Sequence, residues 1–334
     1  MLRASILVIA LLLSTLANGQ GTLFRAYLAS DGSDANSCSL PQPCRLLPAA
    51  LAAVVDGGEI WMLDSANYNS ASVNVAKSVT ILAIPGAVGS VVATGGPAIN
   101  IATAGVNVAL RNLVIVPLPG GGGTTGVTMS AGNRLTVEDC LIANMPGGGI
   151  DVTAAATVRI VDTTVRDSVA TGIAIRGGAN ATLVRVNAIG NATGAGVQVS
   201  GSASMTTTAD ITQLTSASNQ IGVSVFSSVA AGVVKASIRD SLVNRTNGIG
   251  VAVGTTAGAP VTLTISGSTV TNNSGTGIGV AGAGATVWAS ANTVTGNSIG
   301  LEQVLSGTFE TAGNNAVRNN VMDKSGTITV GAME

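Results

Sequence analysis

Across 334 residues there is not one histidine. That absence removes Ser-His-Asp and Cys-His nucleophilic catalysis, histidine-ligated zinc and the commonest general base. Charge is scarce as well, at 9% of residues, with 15 basic side chains against 16 acidic ones. Such a balance gives no electrostatic case for nucleic acid or an anionic membrane as partner. Aromatic residues make up 2%, and Phe24, Tyr27, Trp61, Tyr68, Phe226, Trp288 and Phe309 are scattered, so no platform for stacking a neutral sugar stands out. Trp288, inside an alternating run, is expected to pack in the core or at an end. Of three cysteines, Cys38 and Cys44 flank a short loop that a disulfide could close in an oxidising compartment. Cys140 reads as a buried free thiol, with no histidine to activate it.

What the chain does have is glycine (44 residues) within a 46% hydrophobic composition, and the glycines recur. A unit of Gly, aliphatic, any residue, aliphatic begins at Gly126, Gly149, Gly172, Gly196, Gly222, Gly248 and Gly277, and fades at Gly300. The steps are 23, 23, 24, 26, 26, 29 and 23 residues. Self-similarity at this period denotes stacked repeats. No unit contains a helical pattern; short alternating runs bounded by small residues read as half-buried strands. In the unit from 149 the inward set is Ile150, Val152, Val158, Ile160 and Val165. Its counterparts are Val127, Met129, Leu135, Val137 and Ile142 before it, and Ile173, Ile175, Ala181, Leu183 and Ile189 after it. Three short strands per turn bury their apolar faces only by stacking, at about 4.8 Å per coil. The expected fold is all-β: a single-stranded parallel β-helix of about ten coils. Weaker coils at Ser72–Val75 and Ala98–Ile101 precede the clear ones.

Asn144, Asn191, Asn244, Asn272 and Asn297 stand just before repeat glycines. Asn180, Asn191, Asn244 and Asn272 also fit the glycan-acceptor pattern, but an asparagine ladder at a repeated bend is the expected role. Residues 1–19 read as a secretory signal, with Arg3, an apolar stretch Ile6–Leu13 and small residues Ala17 and Gly19. Residues 20–58 read as an N-terminal cap segment and 59–334 as the β-helix. Within the cap, Pro43–Val55 has the apolar spacing of a short capping helix. The mature protein is expected to be secreted or periplasmic, without a membrane anchor. The C-terminal cap and the oligomeric state are not assigned.

The string Tyr27-Leu28-Ala29-Ser30-Asp31-Gly32-Ser33-Asp34, with Cys38, Pro43-Cys44-Arg45, Ala49-Ala50-Leu51, Gly57-Gly58-Glu59-Ile60 and Lys77-Ser78-Val79-Thr80-Ile81, resembles the N-terminal segment of secreted bacterial right-handed parallel β-helix repeat proteins of the pectate-lyase-like superfamily. Leu46-Leu47 departs from the commoner Thr-Phe. The resemblance covers essentially the whole mature chain and implies right-handed coils. It does not imply one activity, since that superfamily holds lyases, hydrolases, epimerases, phage spikes and proteins without known catalysis. The Asp-Asp, Gly-His-Gly and Arg-x-Lys strings of polygalacturonase-like members and the Asp-Pro-His-Asp string of epimerases are missing.

Aligning coils on their glycines puts Asp139, Asp162 and Arg185 at one position of successive units, with Arg159 nearby. Adjacent carboxylates need a cation, either Arg185 or a bound Ca²⁺. The row is therefore the candidate polyuronate or calcium site, and a charge-balanced solvated corner is the alternative. No catalytic residue is assigned. The favoured function is a non-catalytic scaffold presenting its coil faces to a polysaccharide or cell-surface glycan; the alternative is a histidine-independent polysaccharide lyase.

Overall fold

A computed structural model describes residues 22–331; the signal reading of 1–19 lies outside the described residues. The fold is a parallel β-solenoid of three sheets, one of thirteen strands and two of eleven, about eleven turns where ten were expected. One coil shows the plan. Ile150–Val152 lies in the first eleven-stranded sheet, Thr157–Val161 in the thirteen-stranded sheet and Thr164–Arg166 in the second eleven-stranded sheet. Each strand pairs in parallel with its equivalent in the next coil. The weak early coils are real, with Val73–Asn74 pairing with Ile99–Ile101 and that strand with Val127–Met129. Leu23–Leu28, within the segment read as cap, already pairs with Val54–Met62 in the thirteen-stranded sheet.

The proposed inward residues are buried along the axis, Ile150, Val152, Val158, Ile160 and Val165 among them. Two assignments shift. Val165 pairs with Ala188, which is buried, while Ile189 pairs with Arg166 and is half-buried. Val223 pairs with Val251, so Gly250 and not Gly248 carries the repeat there. Leu47–Ala53 forms the short helix and buries Leu47, Ala50 and Leu51 against the first coils. Cys38 and Cys44 form a disulfide.

The asparagine ladder exists and includes Asn191 and Asn297 as expected, but not Asn144, Asn244 or Asn272. Asn191, Asn219, Asn273 and Asn297 are buried, and Asn219, Asn297 and Asn320 accept from both the backbone and the side chain of the asparagine one coil earlier. Asn144 and Asn272 stand one residue before this position, in left-handed backbone with φ of 61° and 56°. Asn244 ends a strand, Leu242–Asn244. The repeat glycine makes room for the ladder: a Cβ on Gly277 would lie 2.9 Å from Asn297 Nδ2 and 2.8 Å from the Gly300 carbonyl oxygen. Buried and hydrogen-bonded, Asn191 cannot accept a glycan, whereas Asn180 and Asn272 are exposed.

Candidate functional site

Asp139, Asp162 and Arg185 do fall in one row. All three occupy the left-handed corner between the thirteen-stranded and second eleven-stranded sheets, with φ of 53°, 49° and 53°. Asn112, Gln213 and Asp240 hold the same corner in other coils, also at positive φ. Aspartate and asparagine tolerate that conformation better than most residues, so backbone geometry alone accounts for much of the row. Arg185 donates from Nε and a terminal nitrogen to the two oxygens of Asp162, at 2.6 Å each. Its guanidinium holds the Asp162 carboxyl below the usual range. Arg159 is not part of this contact; it pairs with Glu138, which Arg111 also holds. Calcium takes about six to eight oxygen ligands. Among the described residues no three Cys, Asp or Glu side chains converge, and Asp162 is already engaged by Arg185. The donor set at this corner does not fit a calcium ion.

Cys140 lies one residue inside the corner and is buried, and burial pushes its thiol up to about 12. Trp288 faces outward between buried Val287 and Ala289, and its ring lies against Gly331 in the last described coil.

A cleft lies elsewhere, on the outer face of the first eleven-stranded sheet. Alternation turns the third residue of each Gly-aliphatic-x-aliphatic unit outward. Register therefore stacks Asn74, Asn100, Thr128, Asp151, Ala174, Gln198 and Ser224 in one row. Asn100 donates to Asn74 at 2.8 Å. Arg176, two residues beyond Ala174, reaches back to Asp151: its Nη2 donates to both oxygens at 2.7 and 2.8 Å, and Nε adds a third bond at 3.0 Å. The small side chain of Ala174 leaves a hollow between Asp151 and Gln198. The resulting cleft is about 340 Å³, lined also by Thr125, Thr171 and Arg176. Sequence reasoning missed this pair. The signal was the polar identity of the x position over several units, which the search for charged clusters passed over.

The sequence profile described as "Right handed beta helix region" matches residues 97–299. No curated protein matches this chain. Among solved structures, pectate lyase Pel9A superposes with a TM-score of 0.58 at 16% identity, covering 95% of this chain and 80% of the lyase. XylC in complex with xylose gives 0.63 at 9% identity, covering 84% and 69%. The enzymatically active domain of bacteriophage CBA120 tailspike protein 2 gives 0.55 at 12% identity, covering 84% of this chain and 48% of the tailspike domain. Identities this low show the shared fold alone. With more than half of its length matched by the profile, three parallel sheets and coils in continuous register, the chain belongs to the right-handed parallel β-helix family.

Proposed function

We propose that the protein is a secreted or periplasmic scaffold that binds a glycan along the outer face of the first eleven-stranded sheet, without turning it over. The observation that carries this reading is the Asp151–Arg176 pair in its cleft, set in a row of amide and hydroxyl side chains. A carboxylate and a guanidinium side by side offer acceptors and donors at fixed spacing. That suits the paired hydroxyls of a sugar ring, and Gln198, Thr171 and Thr125 extend the same chemistry. The row runs along the coil axis, so a linear chain would meet equivalent contacts from coil to coil. The missing histidine and the tight engagement of Asp151 by Arg176 favour binding over acid–base chemistry. The Cys38–Cys44 disulfide and the signal pattern at 1–19 support an oxidising compartment.

The test is binding of the mature protein to a panel of neutral polysaccharides, with mass spectrometry of the polysaccharide afterwards. Asp151→Asn and Arg176→Ala should each weaken binding at least tenfold, leave the strand-rich circular dichroism unchanged, and leave the polysaccharide intact in every sample. Shortened or unsaturated products that vanish with Asp151→Asn would replace the scaffold with the lyase reading. Unchanged binding in both variants would remove the cleft from the function.

A further inference from the structure

A different face carries a different chemistry. On the outside of the thirteen-stranded sheet, register sets three parallel rows over consecutive coils. Ser78, Asn107 and Arg134 form one side; Thr80, Ala109, Thr136 and Arg159 form the floor; Leu82, Arg111 and Glu138 form the other side. Ala109 keeps the floor low, and the rows enclose a trough of about 340 Å³ that runs with the coil axis. Its polar lining is Ser78, Thr80, Asn107, Arg111, Arg134 and Thr136, and Glu138 stands just beyond them in the Arg111 row.

Charge is unbalanced here in a chain whose net charge is only -1. Arg111 and Arg159 share the single carboxylate of Glu138. Arg134 is exposed, and among the described residues it has neither an ion pair nor a side-chain hydrogen bond. Glu59, beside Thr80 in the floor row, is held by Arg25, and Asp56 accepts from the Ser78 backbone N–H. The positive excess is Arg134 and the second guanidinium on Glu138, and with hydroxyl and amide donors beside it this favours a bound anion. Guanidinium also matches the planar or forked oxygens of carboxylate and sulfate better than any other side chain. Trp61, which borders the trough in the row of Leu82 and Arg111, has its ring covered by Arg25 at 4.0 Å. One face of the only aromatic ring bordering the trough among the described residues is thus already taken by a guanidinium.

We propose that this trough binds a polyanionic glycan, with Arg111 and Arg134 receiving its carboxylate or sulfate groups. The neighbouring hydroxyl and amide side chains contact the sugar rings between those groups, and Arg159 continues the positive track to the next coil. The surface is separate from the Asp151–Arg176 cleft, which lies on another sheet, and does not depend on it.

The experiment is isothermal titration of the mature protein with dextran sulfate, polygalacturonate, uncharged dextran and a single-stranded oligodeoxynucleotide, at low and at raised NaCl. At least one of the two charged glycans should bind, and raised salt should weaken it because the arginines are exposed. Arg134→Gln, which breaks no contact seen among the described residues, should weaken binding about threefold. Arg111→Gln with Arg134→Gln should weaken it at least tenfold. Arg176→Ala should leave it unchanged, which separates this trough from the cleft. The proposal is overturned if neither charged glycan binds, if uncharged dextran binds equally, if the oligodeoxynucleotide binds more tightly, or if the double variant binds as wild type.

Discussion

Replacing Asn297 by alanine tests what holds the coils in register. Its Oδ1 accepts from the Asn273 backbone N–H at 3.1 Å and from Asn273 Nδ2 at 2.9 Å. Its Nδ2 donates to Asn320 Oδ1 at 2.9 Å and to the Val270 carbonyl at 3.2 Å. Asn297 and Asn273 are both buried, so water cannot replace the lost partners without opening the corner. Two donors of Asn273 lose their acceptor. At about 1–3 kcal/mol for each buried group left unsatisfied, the expected loss is about 2–6 kcal/mol. Asn272→Gly is the control, because its side chain is exposed and glycine adopts its φ of 56° at ease. A change there should stay within about 0.5 kcal/mol. Asn297→Thr should restore only the donation toward Asn320 and leave the two Asn273 donors unsatisfied, since Thr246, at this position in an earlier coil, donates its N–H and its hydroxyl to Asn273 Oδ1. Urea unfolding followed by far-ultraviolet circular dichroism reads all three, at unchanged denaturant slope. A loss below about 1 kcal/mol for Asn297→Ala, or one equal to the control, would refute the ladder as a stabilising element and leave the apolar core to explain the register.

Gly277→Ala should destabilise by about 1–3 kcal/mol, because its Cβ would sit 2.8 Å from the Gly300 carbonyl oxygen; Gly279→Ala, whose Cβ meets nothing nearer than 3.4 Å, should be near neutral in the same melts. Cys140 should resist Ellman's reagent in the folded protein and react fully once guanidinium unfolds it, since burial both shields its thiol and raises it to about 12; rapid labelling of native protein would contradict its burial. The Asp162 carboxyl is lowered by Arg185, so the pair stabilises the fold above the unfolded-state value of about 3.9 and stops doing so as pH falls through the lower folded value. Asp162→Asn should therefore melt below wild type at neutral pH and converge with it in acid. Adding CaCl₂ should shift neither melting temperature, and a calcium-dependent rise abolished by Asp162→Asn would restore the corner as a metal site.

The fold was legible because its periodic signals were redundant. Any one of Ile150, Val152, Val158 or Ile160 is an ordinary apolar residue; their return every coil, beside a glycine, admits few other architectures. The misreadings have definite causes. Choosing Gly248 over Gly250 slips the register by two residues, which leaves every side chain on its proper face, so no inside–outside pattern reveals the error. Choosing Ile189 over Ala188 followed hydrophobicity at a mid-strand position that Val165 fills one coil earlier and Ser216 one coil later, where strand register and not apolar character decides which residue faces inward. The ladder lay one residue beyond Asn144 and Asn272. Left-handed backbone and a buried amide both favour asparagine, so the two adjacent positions look alike in sequence and differ only in which side chain turns inward.

The candidate site was less legible because charge in this chain has two unrelated origins. At the corners the backbone selects for residues that tolerate positive φ, so Asp139, Asp162 and Asp240 can recur without any ligand. On the sheet faces φ is ordinary and the outward positions are free of that constraint, so a polar residue there reflects either solvation or contact. Asp151 and Arg176 hold each other across a hollow made by Ala174. Arg111 and Arg134 flank a low floor at Ala109, and Arg134 is unpaired among the described residues. In both places an alanine in the outward row opens the space and charged groups stand beside it. Both proposed faces rest on that coincidence of a small floor residue with fixed polar neighbours, whereas tolerance of positive φ accounts for the carboxylates at the corner.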